Sequence, residues 1–149
     1  MDPVSLKIWV ATSLLLALKM WANSTVQVWA RWRHRTVVNP EDASWLSLIL
    51  KQEVHTDARD TPLAARASAC WRNDLENIPL FLLLALGYVL QGGSPSWAGV
   101  YCSVFVLARI VHTVCYLRRL QPWRTIAFEV GVLAMLAVVI HSLALLLMR

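Results

Sequence analysis

The sequence predicts an all-α membrane protein, a four-transmembrane-helix bundle formed by a single domain over residues 1–149. Three observations carry that prediction. Hydrophobic residues make up 58% of the chain and charged residues only 15%, a balance too apolar for a soluble domain. Four apolar runs approach the roughly 20 residues needed to cross a bilayer, and none alternates as a strand or barrel segment would. Eight tryptophans suit a chain with two membrane–water interfaces, where indole rings settle. The net charge of +5 does not point to nucleic acid, because the basic residues sit mainly between the apolar runs and no aromatic–basic module accompanies them.

The first span covers about residues 8–29 and reads as a retained helix rather than a cleavable signal. Lys19 stands near its centre. Snorkelling from there is difficult, so a partner carboxylate is expected, with Glu129 the candidate. A long connection follows, residues 30–74, carrying Arg31, Arg33, Arg35, Lys51, Arg59, Arg66 and Arg72. The second connection, QGGSPS (residues 91–96), has no charge, and the third, RRLQPWR (118–124), is short and basic. This bias places the first and third connections in the cytoplasm and both termini on the opposite side. Inside the long connection, NPED (39–42) reads as the start of a short helix. Asn39 would cap it, Pro40 would take its first position, and Glu41 and Asp42 would complement its dipole. A second start at Thr61-Pro62 leads without a breaker through WRNDLEN (71–77) toward the next span.

The second span, about 75–90, is short unless this polar approach is counted. Arg72 and Glu76 are four apart and Asn73 and Glu76 three apart, so a helix puts all three on one face. A cation, an amide and an anion there either grip a zwitterionic ligand or pair among themselves. The third span, about 97–117, holds Arg109, His112 and Tyr116 within a narrow arc that packs inward. That stripe is either a hydrogen-bond network between helices or a ligand pocket. The fourth span, about 125–148, starts just after Pro122. Its N-terminus carries positive partial charge, to which Arg124 adds a full charge and Thr125 a hydroxyl. An anion would be stabilised there, and a thiol would ionise more readily. Arg124 equally suits a headgroup anchor. His141 reads as an interface histidine, and Cys70, Cys102 and Cys115 as small packing residues. Metal is not expected, since His112 and His141 lie on different spans without a ligand cluster.

Four motifs, NPED, RNDLENI (72–78), ARIVHTVCYL (108–117) and QPWRTIAF (121–128), resemble the MAPEG family in order and spacing. These are small four-span membrane proteins of eicosanoid and glutathione metabolism. The resemblance covers about residues 19–131 and is strongest to the branch of microsomal glutathione transferases and prostaglandin E synthases. It implies a homotrimer that binds glutathione between neighbouring subunits, near the cytoplasmic ends of the spans. Arg72, Asn73, Glu76, His112, Tyr116 and Arg124 match residues lining that site, and Arg31 matches an arginine near it. Thr125 stands where the synthase has a serine proposed to assist the thiolate, and Phe128 where the synthase has a ligand-contacting tyrosine.

The implied activity is that of a membrane-bound glutathione transferase. Arg124, with Thr125 assisting, would stabilise a thiolate that attacks lipophilic electrophiles arriving through membrane lipid; reduction of lipid hydroperoxides is a second implied activity. The alternatives are a prostaglandin E synthase-type isomerase and a non-catalytic MAPEG-like protein that binds lipid or partners. The membrane would be the endoplasmic reticulum in a eukaryote and the inner membrane in a bacterium.

Overall fold

The computed structural model describes residues 2–56 and 60–148; Arg59, counted among the basic residues of the long connection, lies outside them. Among the described residues five helices form: α1 (Pro3–His34), α2 (Pro40–Leu50), α3 (Pro62–Leu90), α4 (Pro95–Arg118) and α5 (Trp123–Leu147). β1 (Thr36–Val37) and β2 (His55–Thr56) pair in parallel for two residues each. Proline opens each of the first four helices, where its missing N–H costs nothing and its fixed φ suits the first turn. Asp2 caps α1 through Val4 N at 2.7 Å, and Thr61 caps α3 through Ala64 N at 3.2 Å.

α1, α3, α4 and α5 are long and apolar enough to cross a membrane. α1 has 32 residues. At about 1.5 Å per residue it extends some 48 Å, well past a hydrocarbon layer of about 30 Å. α3 is far longer than the expected span at 75–90, because the polar approach from Pro62 belongs to the same helix. It also runs through Pro79. Two residues earlier, Asn77 Nδ2 donates to Asn73 O at 2.7 Å, a local side-chain bond that adds to the backbone ladder. α2 starts at Pro40 as expected, but Asn39 makes no side-chain cap. Its Nδ2 donates to Asp42 Oδ2 at 3.0 Å, while its carbonyl accepts from Ala43 N at 3.2 Å.

α3 and α4 form the centre of the bundle. α1 packs on α3 and α4, and α5 packs on α4 and α3; among the described residues α1 and α5 do not meet. Phe81 and Phe105 stack face to face across the centre, with centroids 3.8 Å apart and planes within 5°. Leu16, Ile78, Ala85, Met135 and Val138 surround them. Small buried residues at the crossings, among them Ala64, Ala67, Ala98 and Ala127, let the backbones approach closely. At the end of the bundle where α3 turns into α4, Ser5 Oγ donates to Gly93 O at 3.2 Å, tying α1 to that turn. Gly93 has no room for a side chain, since a Cβ would lie 2.3 Å from the Tyr88 ring. His141 finds a partner there, with Nδ1 2.9 Å from the Tyr101 hydroxyl.

Lys19 does not pair with Glu129. It forms an ion pair with Asp74 of α3, whose side chain is fully buried. The reason is topological: α1 lies against α3 and never reaches α5, so Glu129 stays on the exposed face of α5. Nearby, Asn23 Nδ2 donates to Ala67 O at 3.0 Å and completes a polar seam between α1 and α3.

Candidate functional site

α1, α3, α4 and α5 alternate in direction, so one end of the bundle gathers the C-terminal parts of α1 and α4 and the N-terminal parts of α3 and α5. The polar residues concentrate at that end. Arg109 and His112 of α4 are 0% and 3% exposed, which settles the direction of the stripe: it faces inward. Tyr116 follows one turn later, its ring edge-on to His112 with centroids 5.6 Å apart.

α5 brings Arg124 onto this stripe. Its guanidinium carbon lies 4.8 Å from the centroid of the Tyr116 ring, a cation–π contact. Gln121, three residues earlier, is within reach of the same guanidinium. With its amide oxygen facing the cation, it accepts from Nη2 at 2.6 Å and Nε at 3.1 Å, while its amide nitrogen donates to Thr125 Oγ1 at 3.2 Å. The opposite amide orientation would set NH₂ against the guanidinium donors. The helix start itself contributes less than expected, because Arg124 N already donates to Leu120 O at 3.1 Å. Positive character at this point therefore rests mainly on the Arg124 side chain. Phe128, one turn on, closes the group with its ring 6.1 Å from His112.

α3 contributes Asn73, whose Oδ1 accepts from Arg109 Nη1 at 2.8 Å. Asn73 thus stands level with Arg109, about 14 Å along α4 from Arg118 at 1.5 Å per residue. Arg72 and Glu76 take the outer face of α3. They share that face as expected, yet among the described residues they form no ion pair with each other or with anything else. Arg31 is not joined to the cluster. Its guanidinium grips Asp60 through Nη2 at 2.7 Å and Nε at 3.2 Å, just before α3 begins. That bidentate bond also holds the Asp60 carboxyl below its ordinary range.

The structure therefore brings His112, Tyr116, Arg124 and Thr125 together, links Asn73 to them through Arg109, and leaves Arg72 and Glu76 facing outward. Three residues of this arrangement, Asp74, Arg109 and Gln121, go beyond the expected site residues. Their signals were present: Asp74 adjoins Asn73, Arg109 lies on the stripe, and Gln121 precedes Arg124 by three residues. No group of three metal-ligating side chains exists among the described residues. Chemically, the assembly is a fixed cation with a hydroxyl beside it, backed by an aromatic wall, at the rim of an apolar bundle. Such a set stabilises an anion at one defined point.

Comparison with known proteins gives the site a setting. The MAPEG family profile matches residues 8–144. A protein of Equus caballus named prostaglandin E synthase is 38% identical over 120 residues, covering 80% of this chain and 74% of that protein. The Homo sapiens protein of the same name is 31% identical over 132 residues, covering 88% of this chain and 83% of its own. Microsomal glutathione S-transferase 1 of Homo sapiens is 38% identical over 120 residues, covering 78% and 75% respectively.

Proposed function

This chain belongs to the MAPEG family, and from that premise we propose that it is a membrane-bound glutathione transferase acting on lipophilic electrophiles. One observation carries the reading: the Arg124 guanidinium sits over the Tyr116 ring, 4.8 Å from its centroid, beside the Thr125 hydroxyl. A guanidinium held this way needs no reorganisation when negative charge appears next to it. Glutathione supplies a thiol nucleophile, two carboxylates and an ammonium group, and the residue types present fit that set. Arg124 would stabilise the thiolate, with Thr125 donating a hydrogen bond. Arg72 suits a carboxylate through paired hydrogen bonds, and Glu76 suits the ammonium. Asn73, His112 and Tyr116 would take part in the same site. Arg31 would need to release Asp60 to join them, so its part in binding is the smallest.

The exposed charges of α3 support assembly with a neighbouring copy, for which the family resemblance implies a homotrimer. Arg72 and Glu76 flank Asn73 well inside the bundle's length, and a bare charge at such depth is costly in lipid. A neighbouring copy covering that face would complete the site between subunits. The lipophilic substrate would reach it from the bilayer.

A second reading, a prostaglandin-endoperoxide isomerase using glutathione without consuming it, is favoured by the similarity to the prostaglandin E synthases. Phe128 weighs against it. Its ring lies in the cluster, 6.1 Å from His112, where the matching tyrosine of the synthase would offer a hydroxyl.

The test is Arg124→Ala in purified protein supplied with glutathione and a chromogenic aryl electrophile. Turnover should fall about 10²–10³-fold, as on removal of one preorganised donor, with a smaller effect on glutathione affinity. Conjugation at the parental rate would refute the assignment. Clean isomerisation of an endoperoxide by a parent protein that conjugates nothing would favour the second reading.

A further inference from the structure

The geometry points to Gly131 of α5 as a positioning residue: it leaves the space in which Arg109 fixes the Asn73 amide, so that Asn73 meets the ligand as a donor. This rests on the reading that Asn73 lines the glutathione site.

Arg109 is the largest fully buried side chain of the bundle, 0% exposed. Its guanidinium carbon lies 5.5 Å from the Phe105 ring and 5.4 Å from the Phe128 ring. Its one side-chain hydrogen bond among the described residues runs from Nη1 to Asn73 Oδ1 at 2.8 Å. The remaining side of the guanidinium rests on bare backbone. A Cβ at Gly131 would stand 2.9 Å from Nη2, 3.3 Å from Nε and 3.5 Å from Cζ. The first of these is closer than real Cβ contacts, so something must yield. The α5 backbone is held by Ala127, Ala134, Met135 and Val138, all buried. The guanidinium is the end of a flexible chain, and it is what moves. A shift of a few tenths of an ångström, with the accompanying turn of the guanidinium plane, lengthens and bends the bond to Asn73.

That bond sets the chemistry Asn73 can offer. With Oδ1 taken by a permanent donor, the amide cannot flip without setting its NH₂ against the guanidinium. Nδ2 is therefore the atom left for a ligand, and it recognises an acceptor, a carboxylate or peptide carbonyl. Released from Arg109, the amide turns freely and loses that selectivity. Gly131 thus acts on ligand recognition through Arg109 and Asn73, without touching the ligand.

Gly131→Ala separates this role from folding. Alanine is the better helix former, which offsets part of the cost of weakening the Arg109–Asn73 bond, so the variant should stay folded with a melting temperature within about 5 °C of the parent. Its KM for glutathione should rise several-fold, the worth of one hydrogen bond, with kcat for the electrophile unchanged. In an Asn73→Ala background the same change should add nothing, because the two act as one unit. In an Arg109→Lys background, whose slimmer head leaves room for the methyl, Gly131→Ala should again cost no affinity. A parental KM in Gly131→Ala overturns the inference, as does an equal loss in the Asn73→Ala background, or a loss of kcat together with stability. A parent protein without glutathione affinity would instead refute the proposed function, and this inference with it.

Discussion

Replacing Asp74 with asparagine removes the anion from a pair that is almost sealed from solvent. The side chains of Lys19 and Asp74 are 9% and 0% exposed. Lys19 sits midway along α1, too far from either end to carry its ammonium to water. Without Asp74 it keeps a full charge inside an apolar bundle. Breaking a buried pair from one side costs about 3–5 kcal/mol. Asparagine still offers an oxygen to the ammonium, so Asp74→Asn belongs near 3 kcal/mol, roughly a hundredfold in the folding equilibrium. Asp74→Ala belongs near the upper figure. Removing both charges, as Lys19→Met with Asp74→Leu, should recover most of the loss, because the cost lies in the uncompensated charge rather than in the missing pair. Reversible unfolding in mixed micelles of rising anionic detergent content, followed by tryptophan emission, measures all four proteins. Parental stability in Asp74→Asn would refute the argument. So would a double variant no more stable than Asp74→Ala.

The Arg31–Asp60 pair is more exposed, with side chains 30% and 13% accessible, and should contribute on the order of 1 kcal/mol. Because Arg31 holds the Asp60 carboxyl below its ordinary range, that contribution is fully present above the unfolded carboxylate value and is lost as pH falls through the lower folded value. Asp60→Asn should therefore lower the melting temperature equally across pH 5–7 and converge with the parent below about pH 4; a gap as wide in strong acid as at neutrality would contradict this. At the other end of the bundle, Gly93→Ala would drive a methyl into the Tyr88 ring and should cost about 1–3 kcal/mol. Melting curves measure that loss, and conjugation per folded molecule should stay at the parental value, since the aromatic cluster around His141 lies far from Arg124 along α5.

The spans and the inward stripe were legible because a bilayer punishes exposed polarity strongly enough to write itself into the pattern. Arg109, His112 and Tyr116 recur at helical spacing, and burial of Arg109 and His112 confirms the face they choose. The basic start of α5 was legible for a similar reason, since Pro122 marks where a helix can begin. Partner choice was not. Whether Lys19 takes Asp74 or Glu129 depends on which helices are neighbours, and periodicity on one helix carries no information about that. Asp74 also hides within WRNDLEN, where it is buried while Arg72 and Glu76, two positions to either side, are exposed. Asp60 was invisible as a partner because its positive backbone φ of 61° turns it back toward Arg31, a geometry no local motif announces. Asn39 misled in the opposite way: a residue type well suited to capping spends its side chain on Asp42 instead.

Arg124, over the Tyr116 ring, is proposed to stabilise the thiolate of bound glutathione once the thiol proton has passed to solvent. Titrating glutathione into the purified, reconstituted protein at neutral pH and recording thiolate ultraviolet absorbance tests it without any choice of electrophile. The parent should show a saturable thiolate signal, and Arg124→Ala should bind glutathione yet lose most of that signal. Bound glutathione with no thiolate in the parent, or an undiminished signal in Arg124→Ala, would contradict the account.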